Sequence, residues 1–171
     1  MKYGYYPGCS LERNASAYQD STLAVAAQVG IEFDEVKDWN CCGATEYISI
    51  DLLPAYALIG RNLALAASQN GNGGQLVAPC SACFLNLSKA NQYMVESSDL
   101  ADQVNEALAA GGLHYEPDSL RVRHLLDIRG EQLETAGVVD RVVVVVARVD
   151  VQGLLGHRPA GHVQHIGQPL A

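Results

Sequence analysis

A small α/β domain on a parallel sheet is the fold this sequence predicts. Two observations carry the prediction. Segments of strand and helix character alternate along the chain, and each of three cysteine groups follows directly on a strand-like segment. Such alternation implies a parallel sheet with right-handed crossovers. The chain has 171 residues, 49% of them hydrophobic, enough for one domain with its own core.

Lys2–Tyr6 reads as a first strand ending at Pro7 and Gly8. A helix follows, with Leu11, Ala15, Tyr18, Thr22, Val25 and Val29 at three- and four-residue steps on one face, and Gly30 terminates it. Ile31–Val36 alternates apolar and acidic residues as a second strand does, and residues 37–50 read as loop. Pro54 near a helix start costs nothing, because its missing N–H would be unpaired there anyway. Leu52, Tyr56, Ile59 and Leu63 form the apolar stripe of that helix, and Gly71–Gly74 breaks the chain. Gln75–Ala78 is a third strand, stopped by Pro79. Ser81 is positioned to cap a helix running to about Met94, and a further amphipathic helix spans Asp99–Ala110 before Gly111 and Gly112. Val142–Val149 reads as a strand, followed by an irregular end rich in Gly, His, Gln and Pro.

Bulk properties exclude several classes of partner. A net charge of −8 opposes binding to nucleic acid or to an anionic membrane surface. No apolar run reaches the ~20 residues that span a bilayer, so direct membrane insertion is not expected. The first residues include Lys2 but lack the apolar stretch of a secretory signal, which predicts a cytoplasmic location. Five cysteines cannot all pair in intramolecular disulfides, which fits thiolate ligands in a reducing compartment.

Those cysteines are Cys9, Cys41, Cys42, Cys80 and Cys83, in the pattern C-x31-CC-x37-C-x2-C. Ligands of open α/β sheets bind beyond the carboxyl ends of the strands, so the three groups are expected to converge on one sheet edge. Thiolates are soft ligands suited to iron–sulfur clusters, zinc or Cu(I). Cys80 and Cys83 lie three residues apart at a helix start, so their sulfurs can face the same way, toward free N–H groups and partial positive charge. Adjacent Cys41 and Cys42 can serve one site only from a loop, or by ligating different metal atoms, and Gly43 permits the tight turn. Pro79–Cys83 alone would also suit a thioredoxin-like redox pair, and four thiolates would make a closed zinc site with one cysteine spare. The spacing leaves cluster and zinc both open.

Other candidates are weaker. His157, His162 and His165 match no helix face and no common zinc spacing, and read as surface residues. His124 suits either the site or ordinary packing. Asn40 and Thr45 flank the cysteine pair and could donate hydrogen bonds to sulfur or stabilise the turn. Tyr3, Tyr5 and Tyr6 read as strand packing. Gly71–Gly74 is no phosphate loop, since it lacks the following Lys-Ser/Thr and precedes a strand.

Three segments, Tyr5-Tyr6-Pro7-Gly8-Cys9-Ser10, Asp38-Trp39-Asn40-Cys41-Cys42-Gly43-Ala44-Thr45 and Pro79-Cys80-Ser81-Ala82-Cys83, resemble the first CCG-type cysteine-rich motif of the heterodisulfide reductase B-subunit family. Arg61-Asn62-Leu63-Ala64 and Val122-Arg123-His124-Leu125-Leu126 are also similar to that family, so the resemblance covers roughly residues 1–128. It implies a small Rossmann-like CCG domain with cysteines at the carboxyl ends of the strands. It implies that Cys9, Cys41, Cys42, Cys80 and Cys83 ligate a noncubane [4Fe-4S] cluster that acts catalytically on a disulfide, in methanogens that of coenzymes M and B. Partner subunits, one carrying flavin and one ferredoxin-like with iron–sulfur clusters, would supply the electrons. Related CCG proteins include iron–sulfur subunits of glycolate, lactate and succinate oxidoreductases. A zinc-bearing or single-cluster docking module is the non-catalytic alternative.

The family has two CCG halves, and this sequence carries the cysteine pattern of one. Residues 129–171 form a divergent tail: no aromatic residue follows Tyr115, and no lysine follows Lys89. The composition change near Arg129 reads as truncation or frameshift, and a single half would hold one cluster rather than two.

Overall fold

The structure, a computed structural model, describes residues 2–44, 47–70 and 74–128. Ten elements follow in chain order: β1 (Lys2–Tyr5), α1 (Gly8–Glu12), α2 (Ser16–Gln28), β2 (Glu32–Glu35), α3 (Tyr47–Ile50), α4 (Leu52–Asn70), β3 (Gly74–Ala78), α5 (Ser81–Glu96), α6 (Ser98–Ala109) and β4 (Leu120–His124). The four strands form one sheet in the order β2-β1-β3-β4, and every pairing is parallel. The expected α/β class with a parallel sheet is what forms.

The register shows why the sheet is apolar on both sides. Successive strand residues point to opposite faces. Leu76 and Ala78 enter the core made with α4, α5 and α6, where Ile59, Leu63, Leu87, Ala90, Met94 and Val104 are buried. Val77, between them, joins Tyr3, Ala26, Ile31, Leu125 and Ile128 on the other face. Parallel sheets covered on both faces carry such near-continuous apolar strands. Two glycines let the layers close. A methyl on Gly4 of β1 would stand 2.2 Å from Asn70 Nδ2 on α4, and one on Gly60 of α4 would stand 2.7 Å from Val104 Cγ1 on α6.

Several sequence expectations change. The helix after β1 is two helices, parted at Arg13–Ala15, and Tyr18 on the expected buried face is 41% exposed. The stretch expected to be loop contains the short α3. Ser81 does not cap α5: the N-cap position is Cys80, without a side-chain hydrogen bond, and Ser81 Oγ instead faces His124 Nε2 at 3.4 Å. The side-chain cap belongs to Ser97, whose oxygen accepts from the Leu100 N–H at the start of α6. β4 is an addition to the expected strands, although Leu120-Arg-Val-Arg-His124 alternates apolar and basic residues at strand period. The strand expected at Val142–Val149, the Gly71–Gly73 break and the tail histidines lie outside the described residues.

Candidate metal centre

Three connections leave the carboxyl ends of β1, β2 and β3 on the same edge of the sheet, and each carries cysteine. Cys9 opens α1, Cys41 and Cys42 lie in the loop after β2, and Cys80 and Cys83 flank the start of α5. The loops bring the sulfurs together. Cys9 Sγ and Cys41 Sγ are 3.4 Å apart at the surface, and Cys42 Sγ and Cys83 Sγ are 3.3 Å apart in the interior. Cys41 and Cys42 adjoin in sequence, and the charge of Cys80 acts on Cys83. All five cysteines therefore form a string of neighbouring sulfurs running from the exposed Cys9 to the half-buried Cys80.

Gly8 makes the inner end of that string possible. Its φ of +75° suits glycine, and a methyl there would sit 2.7 Å from Cys83 Sγ. The loop holding Cys41 and Cys42 is bracketed by two more left-handed residues, Asp38 (φ 60°) and Gly43 (φ 67°). Side chains from α4, from α5 and from the residue after β1 grip it. Asn62 on α4 accepts from the Asn40 N–H at 2.9 Å and donates to the Asn40 carbonyl at 2.9 Å. Tyr6 Oη donates to the same carbonyl at 2.6 Å, and Asn86 on α5 donates to the Cys42 carbonyl at 3.2 Å. Arg61 donates to the Asp38 carbonyl and to Asn40 Oδ1, and pairs with the Asp38 carboxylate. Asn40 Nδ2 donates to the carbonyls of Cys41 and Leu58, the turn-stabilising one of the two roles open to it. Thr45 lies outside the described residues.

Electrostatics distinguish the five sulfurs. The hydrogen bond with Cys83 lowers the Cys42 thiol pKa against the cost of burial, and the N–H groups of Cys42 and Ala44 and the Cys41 thiol add to the lowering. Cys83 moves the other way, raised by the bond with Cys42, by burial and by the charges of Cys42 and Cys80. One proton shared between the buried pair, with Cys42 the more readily ionised member, accounts for both directions. Cys9 is raised by its bond with Cys41 and by desolvation. Tyr6 is pushed up by burial and by the charges of Cys42, Cys83, Cys41 and Cys9, so its hydroxyl stays a donor.

The donor set fits a bound metal group. Two thiolates on one tetrahedral metal, with bonds near 2.3 Å, stand about 3.8 Å apart, a few tenths of an ångström wider than either close pair. Among the described residues no three or more His, Cys, Asp or Glu side chains converge on one ion position. The sulfurs are arranged as a string, not as a closed tetrahedron. Asn62, Tyr6 and Asn86 escaped the sequence reading as parts of this site. Asn62 does carry a signal, as an asparagine beside Leu63 and Ala66 on an apolar helix face, within the Arg61-Asn62-Leu63-Ala64 segment.

The model of the CCG cysteine-rich domain family matches residues 3–88. The chain is 32% identical over 133 residues to the 8-methylmenaquinol:fumarate reductase membrane anchor subunit of Wolinella succinogenes, covering 78% of this chain and 45% of that protein. It is 30% identical over 126 residues to a heterodisulfide reductase B-subunit-like protein of Archaeoglobus profundus, covering 73% of this chain and 41% of that one. The chain thus spans less than half the length of these curated relatives. In fold, it is similar to a hypothetical protein from Helicobacter pylori of known crystal structure, with a TM-score of 0.61 at 20% identity over 72% of this chain and 24% of that one. Among the described residues no helix is long and apolar enough to cross a membrane.

Proposed function

Because this chain belongs to the CCG cysteine-rich domain family, we propose that it is the iron–sulfur part of a disulfide-reducing oxidoreductase complex, with Cys9, Cys41, Cys42, Cys80 and Cys83 as ligands of a [4Fe-4S] cluster. The observation that carries this reading is the string of five sulfurs from three loops at one sheet edge. A group with several metal atoms takes ligands at several points, which suits a string better than the single closed tetrahedron of structural zinc.

When bound, the cluster supplies one-electron chemistry and an iron site for substrate sulfur. The chain's own residues do the rest. Tyr6, Asn62 and Asn86 hold the Cys41–Cys42 loop. Cys42 and Cys83 are buried, which keeps water from the inner end of the string, whereas Cys9 and Cys41 are exposed and form the end a substrate would reach. Reduction of a disulfide consumes two electrons and two protons and releases two thiols. Flavin-bearing and ferredoxin-like subunits are the proposed electron source, as in the family that the cysteine motifs resemble.

A second reading has one specific observation in its favour. The similarity to a subunit of 8-methylmenaquinol:fumarate reductase supports a role in passing electrons within a quinol-linked complex, with no disulfide as substrate.

Anaerobic purification tests both. Iron and acid-labile sulfide counted per chain, with visible and EPR spectra, should reveal a cluster whose absorbance falls in each Cys→Ala variant. Zinc alone sinks the cluster reading. A loaded chain that reduces no organic disulfide with a strong reductant, yet is oxidised by its complex, favours the second reading.

A further inference from the structure

Asn62 is a fully buried polar residue on a helix face otherwise made of Ile59, Leu63 and Ala66. Burying an amide without partners costs several kcal/mol in apolar surroundings, so a buried asparagine is explained by what it bonds. Both of its side-chain bonds among the described residues go to one residue of a loop 22 positions earlier: the N–H and the carbonyl of Asn40. Fixing that carbonyl fixes the peptide plane that leads into Cys41. Asn86 fixes the plane that leaves Cys42. Between these two planes lies the Cys41–Cys42 segment, so the two grips fix how both sulfurs are presented. Hydrogen bonds to ligand sulfur set the potential of a bound cluster.

We propose that Asn62 is the positioning residue of the cysteine site: its two-point grip on Asn40 orients the Cys41–Cys42 loop, and through the placement of those two sulfurs it sets the potential and the retention of the bound group. The inference rests on the cluster reading above. It acts through the Cys41–Cys42 loop and does not require Asn62 to touch cluster or substrate.

The fold contains its own control. Gln69, seven residues or about two helical turns farther along α4, grips the backbone of Lys37 in the same way, accepting from its N–H at 2.7 Å and donating to its carbonyl at 3.0 Å. Gln69 ends at an exposed residue before the cysteine loop. A purely structural role would make the two grips equivalent.

The experiment uses the full chain, reconstituted anaerobically with iron and sulfide, as wild type, Asn62→Leu, Asn62→Asp and Gln69→Leu. Midpoint potential, EPR g-values and the rate of iron loss to a chelator are measured. Asn62→Asp keeps the acceptor for the Asn40 N–H and serves if Asn62→Leu does not fold. Both Asn62 variants should have altered g-values and a lower potential, and should lose iron about 10–100-fold faster, the range for removing a group that supports a metal ligand. Gln69→Leu should match wild type in all three. Unchanged potential and g-values in the Asn62 variants, or an equal shift in Gln69→Leu, overturn the inference and leave the cluster reading standing. A wild-type chain that takes up no iron overturns the cluster reading instead. The grip is then judged in the metal-free chain: Asn40 amide exchange that is no faster in Asn62→Leu overturns it, and exchange at least tenfold faster upholds it.

Discussion

Gly8 and Cys83 approach so closely that a single methyl group on Gly8 would stand 2.7 Å from the Cys83 sulfur. The first residue closes the turn after β1 and the second lies in the first turn of α5, 75 positions later. Their contact ties the carboxyl end of one central strand to that of the other. Gly8→Ala should therefore act twice. The left-handed φ of +75° costs an alanine about 1–2 kcal/mol, and the Cys83 sulfur must move away from Cys42. Thermal unfolding should show the lower stability, and metal analysis a lower content per folded chain. Full metal content in Gly8→Ala would mean that the sulfur spacing tolerates the shift.

Gly60→Ala provides a contrast away from the cysteines. Its new methyl would meet Val104 Cγ1 at 2.7 Å and push α6 from α4. Overpacking of this kind typically costs about 1–3 kcal/mol. The expected outcome is a lower melting temperature with metal content per folded chain unchanged. A parallel loss of metal would show that the site depends on the α4–α6 contact.

Stability of the reduced, metal-free chain should fall as pH rises above 9. Cys9 and Cys83 have thiols raised from the ordinary value of 9.0, by sulfur hydrogen bonds and desolvation. They keep their protons when folded and release them when unfolded, so their share of stability is complete below 9.0 and is lost as pH rises toward the folded values. Cys42 has the opposite sign. Its contribution is present above 9.0, is lost as pH falls through its lower folded value, and stops growing where the others begin to fail. Tyr5, Tyr6 and Tyr115, raised by burial from 10.0, extend the loss to higher pH. Melting curves from pH 7 to about 11 check this, and a flat profile would contradict the shared-proton picture of Cys42 and Cys83.

Replacing single cysteines should separate the two ends of the sulfur string. Cys42→Ala and Cys83→Ala remove partners from the buried pair and should abolish metal retention through gel filtration. Cys9→Ala exposes the site further but leaves the inner pair, so it should retain part of the metal and lose it faster to a chelator. Metal content before and after chelator challenge distinguishes the classes. Equal retention across the three variants would argue that the sulfurs do not act on one bound group.

Much of this arrangement is legible along the chain, where local patterns carry it. Alternation places β1, β2 and β3 within about one residue of their observed bounds, and strand-end logic places the cysteines on one edge. β4 is equally local, with Leu120 and Val122 alternating with Arg121 and Arg123, but so short an alternation does not mark a strand until β3 is seen beside it. The break between α1 and α2 carries no proline or glycine, so nothing at Arg13–Ala15 announces it. The pairing of sulfurs is not local at all. The C-x2-C spacing draws attention to Cys80 with Cys83, yet the closest partner of Cys83 comes from a loop 41 residues earlier. Asn62 is hidden for the same reason: an isolated polar residue on an apolar face has meaning only once Asn40 is seen beside it.

The strand order β2-β1-β3-β4 also dictates a timetable. As the chain leaves the ribosome, Cys9, Cys41 and Cys42 emerge while β1 has β2 as its only available neighbour. The strand that completes the centre, and the helix start carrying Cys80 and Cys83, appear only after all of α4 has been made. Non-local contacts of this sort form late, after the intervening chain has been closed into a loop. Three thiols are thus exposed in the nascent chain before their two companions exist, so the five sulfurs cannot gather until the start of α5 has been made.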